Sequence, residues 1–306
     1  MGLYSRYTTR EIEEIERGRG DYKRLKQVFA NVKKDPTPKT ILEAYLEHEK
    51  QGGRGFIGTL KELFNIEALA LPNEYHGIEY EAKLDVQVSK AEGNDISPED
   101  YLEKILSSLP PNYNFLSNQD IEKRSSENFY YGKDDEDSLV VMKNGSLSNL
   151  KYKENLEQLS FGLKNEEFVL KRKEKVDRGC SDEEVFKEIQ RMILEGARYK
   201  GKIIRDRART DLLSIKTGRV YLVLFDACNV FAEKKDSSVK YQIEAEYMGF
   251  IPNLSKKFIK GSEKQIAEDL LELTGSISEV FVNKTVDYCK IKSVNYTKER
   301  KFDFLK

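Results

Sequence analysis

The chain has 306 residues, enough for one large domain or two modest ones, with 39% hydrophobic residues, 34% charged residues and a formal net charge of -1. That balance argues against a dedicated duplex-DNA binder, which carries a basic excess, and the 15 Phe and 17 Tyr argue against disorder. The scattered Cys180, Cys228 and Cys289 and the two histidines, His48 and His76, leave disulfide frameworks, structural zinc and Ser-His triads poorly supplied.

The first sixteen residues, MGLYSRYTTREIEEIE, lack the apolar centre of a secretory signal. No run approaches the ~20 apolar residues of a membrane span. A cytoplasmic location with no membrane partner is therefore expected. Residues 8–70 read as helical: Thr8 or Thr9 offers a cap before a first helix weakened by Gly18 and Gly20. TPKTILEAYLEHEKQ is a second helix, stopped at GGRG, and TLKELFNIEAL a third, stopped near Pro72. Residues 1–72 are taken as a helical N-terminal extension that either packs on the outside of the domain formed by the rest of the chain or serves as a partner-binding or lid element.

From residue 73 the pattern changes. GIEYEAKLDVQV alternates with period two, as a strand does. SPEDYLEKILSSL reads as a helix with Ser97 as cap and Pro98 in its first position. ENFYYG and DSLVVMKNGSLSNLKYK read as strands, the second folded back at Asn144-Gly145. EEFVLKRKEKV is a strand and SDEEVFKEIQRMILEGARYKG a capped amphipathic helix. KIIRDRARTDLLS, GRVYLVLFDACNVF and VKYQIEAEYMGF are strands, and SEKQIAEDLLELTG is a helix from Ser262 to Gly275. The order predicts an α+β domain over residues 73–306, an antiparallel or mixed sheet with helices outside.

Charges fall in phase on these strands. Glu79, Glu81 and Lys83 share a face, as do Lys151 and Lys153, and Arg205, Arg207 and Arg209. Lys171, Lys173 and Lys175 share a face, with Arg172 opposite; Glu244 and Glu246 share another, and Asp226 follows Leu222 and Leu224. Any one of them reads as the wet side of an antiparallel sheet. Together, acidic strands stand apart from cationic ones, although like charges on one solvent face repel. That segregation suggests a charged barrel interior. Lys and Arg match a polyanion, Arg with bidentate forks for phosphate. Acids on the same surface would repel it unless a divalent cation lies between, and magnesium takes one or two carboxylates plus phosphate oxygens and water. The inventory fits a metal-bound triphosphate, whose chemistry rests on positioning and charge.

Glu79-x-Glu81-x-Lys83 resembles the opening E-x-E-x-K motif of the CYTH, or triphosphate tunnel metalloenzyme, superfamily. NFYYG, LKYK, VLKRK, IIRDRAR, LVLFDAC and YQIEAEYMG follow in the order of that family's strands, and the closing helix with NKTVDYCK resembles its end, so the match runs over about residues 75–290. Lysines stand near 151 where the family has arginines. The resemblance implies an eight-stranded antiparallel β-barrel, a triphosphate tunnel with helices packed outside, that binds triphosphates with Mg²⁺ or Mn²⁺. It implies metal ligation by Glu79, Glu81, Glu244 and Glu246, with Asp226 assisting. Phosphate contacts would come from Lys83, Lys151, Lys153, Lys171, Lys173, Arg205 and Arg207, and Arg209 joins them by parity. The expected activity is metal-dependent hydrolysis of the terminal phosphate of tripolyphosphate, a nucleoside triphosphate or thiamine triphosphate. Alternatives are an RNA 5′-triphosphatase, the one case with a nucleic-acid partner, a class IV-like adenylyl cyclase, and a non-catalytic polyphosphate or nucleotide sensor.

Overall fold

The computed structural model describes residues 22–35, 37–50, 59, 63, 77–88, 97–109, 121–133, 138–144, 147–159, 168–214, 217–232, 237–250, 262–282, 291–297 and 301–305. Of the helix expected from Thr8, only the part from Tyr22 on is described; its beginning, most of TLKELFNIEAL and the NKTVDYCK segment lie outside the described residues. The elements in chain order are α1 (Tyr22–Lys34), α2 (Pro38–Lys50), β1 (Ile78–Val88), α3 (Pro98–Ser108), β2 (Glu122–Gly132), β3 (Ser138–Asn144) and β4 (Leu147–Leu159). There follow β5 (Val169–Cys180), α4 (Asp182–Leu194), β6 (Arg198–Leu213), β7 (Arg219–Ala232), β8 (Ser238–Phe250), α5 (Glu263–Val282), β9 (Ile291–Tyr296) and a 3₁₀ turn, Lys301–Leu305.

The strands run β5-β4-β3-β2-β6-β7-β8-β1, every pair antiparallel, and β1 pairs back onto β5. Eight strands thus close into the barrel that the charge segregation predicts. Closure uses the first part of β1, Ile78–Glu81 against Lys173–Leu170. Beyond it, β9 takes the place of β5 and pairs with Leu84–Val88.

The main apolar core lies outside the barrel. Tyr80, Ala82, Leu84 and Val86 of β1 and Tyr221, Val223 and Phe225 of β7 meet Leu102 and Ile105 of α3 and Ile266, Leu270 and Ile277 of α5. A second cluster seats Val185 and Met192 of α4 on Leu139, Val141 and Leu150. The outward parity is therefore apolar on β1, β7 and β8, and the charged parity of β1, β4, β6 and β8 points in, which is the reverse of a water-soluble sheet with one wet outer face. The helix starts follow the sequence: Ser97, Ser181 and Ser262 each accept from the backbone N–H three residues on, and Glu184 completes a capping box with Ser181. Helix α5 does not stop at Gly275 as expected, because Ile277 and Val280 prolong the buried stripe begun at Ile266.

The helices α1 and α2 bury Leu25, Phe29, Val32, Ile41 and Tyr45 against Leu213 and Val220, beside the β6–β7 turn. No helix among the described residues is long and apolar enough to cross a membrane.

Candidate functional site

Strand register assembles the interior. On β1, Glu81 stands opposite Glu246 of β8, and Lys83 opposite Glu244. Asp226 of β7 lies opposite Gln242 on one side and Arg207 on the other. Arg205, Arg207 and Arg209 of β6 face Ser126, Arg124 and Glu122 of β2. From the far wall come Lys151 and Lys153 of β4, with Lys153 opposite Glu174 of β5. Together they enclose a cavity of about 210 Å³, lined among the described residues by nine cationic side chains and three carboxylates. At its rim, Arg124 and Arg209 both bind Glu122, at 2.6 and 2.8 Å.

Much of this charge is paired internally. Arg207 forks onto Asp226 with bonds of 2.6 and 2.7 Å. Lys153 lies 2.7 Å from Glu79 and 3.1 Å from Glu174, while Lys151 lies 2.7 Å from Glu174. Lys83 is 3.1 Å from Glu244 and 3.4 Å from Glu81, which also pairs with Arg172. Burial works against ionisation of Glu174, but Lys153 and Lys151 outweigh it and draw the carboxyl down to about 2. Burial is likewise overcome at Glu244 by Lys301, Lys83 and Arg207, and at Asp226 by Arg207 and Lys301, so both stay well below the usual carboxylate range. Lys83 goes the other way: burial, then the Arg172 charge, lowers it to about 8 despite Glu244 and Glu81.

Two features do not close internally. Glu246 has no cation within ion-pair distance among the described residues, and burial together with the neighbouring Glu79 carboxylate raises its pKa well above normal. On the cationic side, Arg205 Nε and Arg172 Nε and Nη2 are buried without a hydrogen-bond partner. Among the described residues Arg205 reaches only Ser126 Oγ, at 3.4 Å.

Among the described residues no three His, Cys, Asp or Glu side chains converge as a ready-made metal cage. A hard divalent ion that keeps waters and substrate oxygens needs only one or two carboxylates. Glu79 and Glu246, side by side on the inner face with mutual repulsion, supply that number. The residues present therefore fit Mg²⁺ or Mn²⁺ held jointly with a phosphate ligand.

The expected set is largely brought together: Glu79, Glu81, Lys83, Lys151, Lys153, Arg205, Arg207, Arg209, Asp226, Glu244 and Glu246 all have the inward parity. Lys171 and Lys173 do not. They pair with the outward Tyr80 and Ile78, Lys171 binds Glu263 of α5 at 2.8 Å, and Lys173 is 67% exposed. The parity read for this strand is inverted because both of its faces carry charge, so polarity alone cannot orient it. The inward residues are Arg172 and Glu174, opposite Glu79 and Lys153. Also missed were Arg124, whose strand begins at Glu122 rather than at ENFYYG, and Lys301, which no alternation marks. The signal for Arg124 was present in Arg124-x-Ser126-x-Asn128, in phase with Tyr130.

No protein-family model and no curated protein matches the chain. Among solved structures, PH1819 of Pyrococcus horikoshii is similar over 74% of this chain and 97% of its own, at 14% identity and a TM-score of 0.38. A conserved hypothetical protein of Pyrococcus furiosus is similar over 64% and 90%, at 15% identity and a TM-score of 0.34. The Pct1 RNA triphosphatase of S. pombe, solved in complex with the Spt5 CTD, is similar over 75% and 97%, at 16% identity and a TM-score of 0.32. At such identities and TM-scores the likeness carries no argument about this chain, whose fold is read from its own strand pairing. The closed eight-stranded antiparallel barrel with its charged interior is itself the tunnel fold that the strand motifs implied.

Proposed function

We propose that the barrel interior is the site of a divalent-metal-dependent triphosphatase that hydrolyses the terminal phosphate of a triphosphate. The observation that carries this reading is the set of buried guanidinium donors without acceptors, on Arg205 and Arg172, in a cavity whose described lining has nine cations to three carboxylates. A buried charged donor left unpaired costs a few kcal/mol, on the order of 1–3. A phosphate chain offers the missing acceptors, in the planar two-point geometry that guanidinium suits.

Arg172, Arg205, Lys151 and Lys153 surround the cavity from opposite walls and would grip successive phosphates. Glu79 and Glu246 would hold the ion. Bound there, Mg²⁺ or Mn²⁺ would screen phosphate oxygens and make a coordinated water more acidic. Lys83 keeps its proton below about pH 8 and adds a positive group beside Glu244 near neutrality. At about 210 Å³ the cavity is smaller than the ~300–1,000 Å³ of sites for drug-sized ligands. It suits a phosphate chain, with whatever the chain is attached to left at the mouth.

The experiment is phosphate release from tripolyphosphate, ATP, thiamine triphosphate and triphosphate-ended RNA, each with Mg²⁺ and with Mn²⁺. Hydrolysis of at least one, lost in Glu246→Gln and Arg205→Ala, is expected. Preference for the RNA would identify a capping-type activity, and release of pyrophosphate with cyclic AMP a cyclase. A second reading, a non-catalytic polyphosphate sensor, is favoured by the internal pairing of Glu79, Glu81, Asp226 and Glu244. It predicts tight tripolyphosphate binding with no phosphate released. Neither binding nor release would sink both.

A further inference from the structure

The turn Lys301–Leu305 enters one end of the barrel. β9 delivers it: this strand runs along Leu84–Val88, and Thr297 N–H then donates to Lys83 O at 3.1 Å. Phe304 and Leu305 are buried among the inward residues Tyr130, Val140, Ile203, Cys228 and Val230. Gly201 leaves the room for them, since a Cβ there would lie 2.7 Å from Leu305 Cδ2. Past this apolar stopper, the Lys301 side chain reaches the cavity. Its Nζ lies 2.5 Å from Glu244 Oε1, 2.7 Å from Asp226 Oδ2 and 3.3 Å from Gln242 Oε1.

Two carboxylates and an amide oxygen around one point are an oxygen-only donor set of the kind that holds a hard divalent cation. Here an ammonium fills it. Lys301 is buried, anchored by its own hydrophobic neighbours, and comes from no strand of the barrel. Asp226 and Glu244 each have a further cation, Arg207 and Lys83 respectively. A divalent ion could enter this cluster only by expelling Lys301 against those remaining charges.

We propose that Lys301 is a built-in cation that closes Asp226 and Glu244 to divalent ions, so that the barrel takes a single ion, on Glu79 and Glu246. This rests on the metal-dependent reading of the interior. It makes Lys301 a positioning residue: it holds Asp226 and Glu244 in place, and through Asp226 the guanidinium of Arg207.

The test is Mn²⁺ binding followed by electron paramagnetic resonance, without substrate, on the full chain, Lys301→Arg and Lys301→Met. The wild type and Lys301→Arg should bind one ion per chain. Lys301→Met, which keeps Phe304 and Leu305, should bind two, the second at least about tenfold tighter than any further binding to the wild type. Equal stoichiometry and affinity in all three proteins overturns the proposal alone. No Mn²⁺ bound by any of them removes the metal-dependent reading and the proposal with it. Should Lys301→Met not fold, amine acetylation of the wild type mapped by mass spectrometry decides the matter. Lys301 should stay unmodified with and without saturating Mn²⁺. Its labelling in either condition means that the amine leaves the cluster and refutes the assignment.

Discussion

Replacing Arg205 by Met separates a binding group from a stabilising one. The guanidinium lies inside the barrel, with Ser126 Oγ at 3.4 Å and no acceptor for Nε. The nearby carboxylate Asp226 already carries the Arg207 fork and Lys301. Met keeps most of the aliphatic stem and deletes an incompletely satisfied charge from a cationic wall. Leaving such a donor buried costs about 1–3 kcal/mol, so Arg205→Met should gain rather than lose stability. At roughly 2–4 °C per kcal/mol for chains of this order of size, the unfolding midpoint should rise by a few degrees. Tripolyphosphate would lose charge-assisted hydrogen bonds of about 1.5–3 kcal/mol, or about 10- to 150-fold in affinity. Scanning calorimetry reads the first effect and titration calorimetry with tripolyphosphate the second. A variant that melts several degrees lower yet binds tripolyphosphate like the wild type would show that Arg205 is structural and that the unpaired donors are no sign of a ligand.

Lys83 loses its charge above about pH 8, because burial and Arg172 lower its pKa. The kcat/KM for tripolyphosphate should therefore fall through a basic limb near pH 8, and Lys83→Arg should shift that limb beyond pH 10; a limb unmoved by the substitution assigns it to another group. Lys171→Ala and Lys173→Ala should leave tripolyphosphate affinity within about twofold, whereas Lys153→Ala, facing Glu79 and Glu174, should weaken it at least about tenfold; equal losses in titration calorimetry would restore an inward role to the first two. Gly201→Ala places a Cβ 2.5 Å from Phe231 O at a φ of +143°, and should cost about 1–3 kcal/mol and expose the C-terminal turn to limited proteolysis. An unchanged melting point with an intact C-terminus contradicts the fit of Leu305 against β6.

Strands β1, β6 and β8 were legible because each offers one clearly apolar face: Tyr80-Ala82-Leu84, Ala208-Leu212 and Ile243-Ala245-Tyr247 pack on helices, so the other parity had to point inward. The capped helix starts at Ser97, Ser181 and Ser262 were legible for a local reason too, since the cap bonds span only three residues. Strand β5 resisted because its outward face mixes Val169 with Lys171 and Lys173, and its inward face mixes Leu170 with Arg172 and Glu174. Neither face is the more apolar, so the choice fell to tertiary contacts: Lys171 finds Glu263 on α5, and Arg172 finds Glu81 across the β1–β5 seam.

Period-two alternation is a property of the local backbone, so sequence alone determined that charge would be gathered on one side of each of several strands, acids on some and bases on others. It also determined the kind of anion that such a surface suits. Which residues meet across the cavity depends on register between strands far apart in the chain, and on barrel closure through only Ile78–Glu81. Tertiary structure alone therefore paired Glu79 with Lys153, left Glu246 beside Glu79 without an ion-paired cation among the described residues, and carried Lys301 to Asp226 and Glu244, 75 and 57 residues away in sequence. Charge at those distances along the chain is correlated only by folding, because no local rule of backbone geometry links the positions.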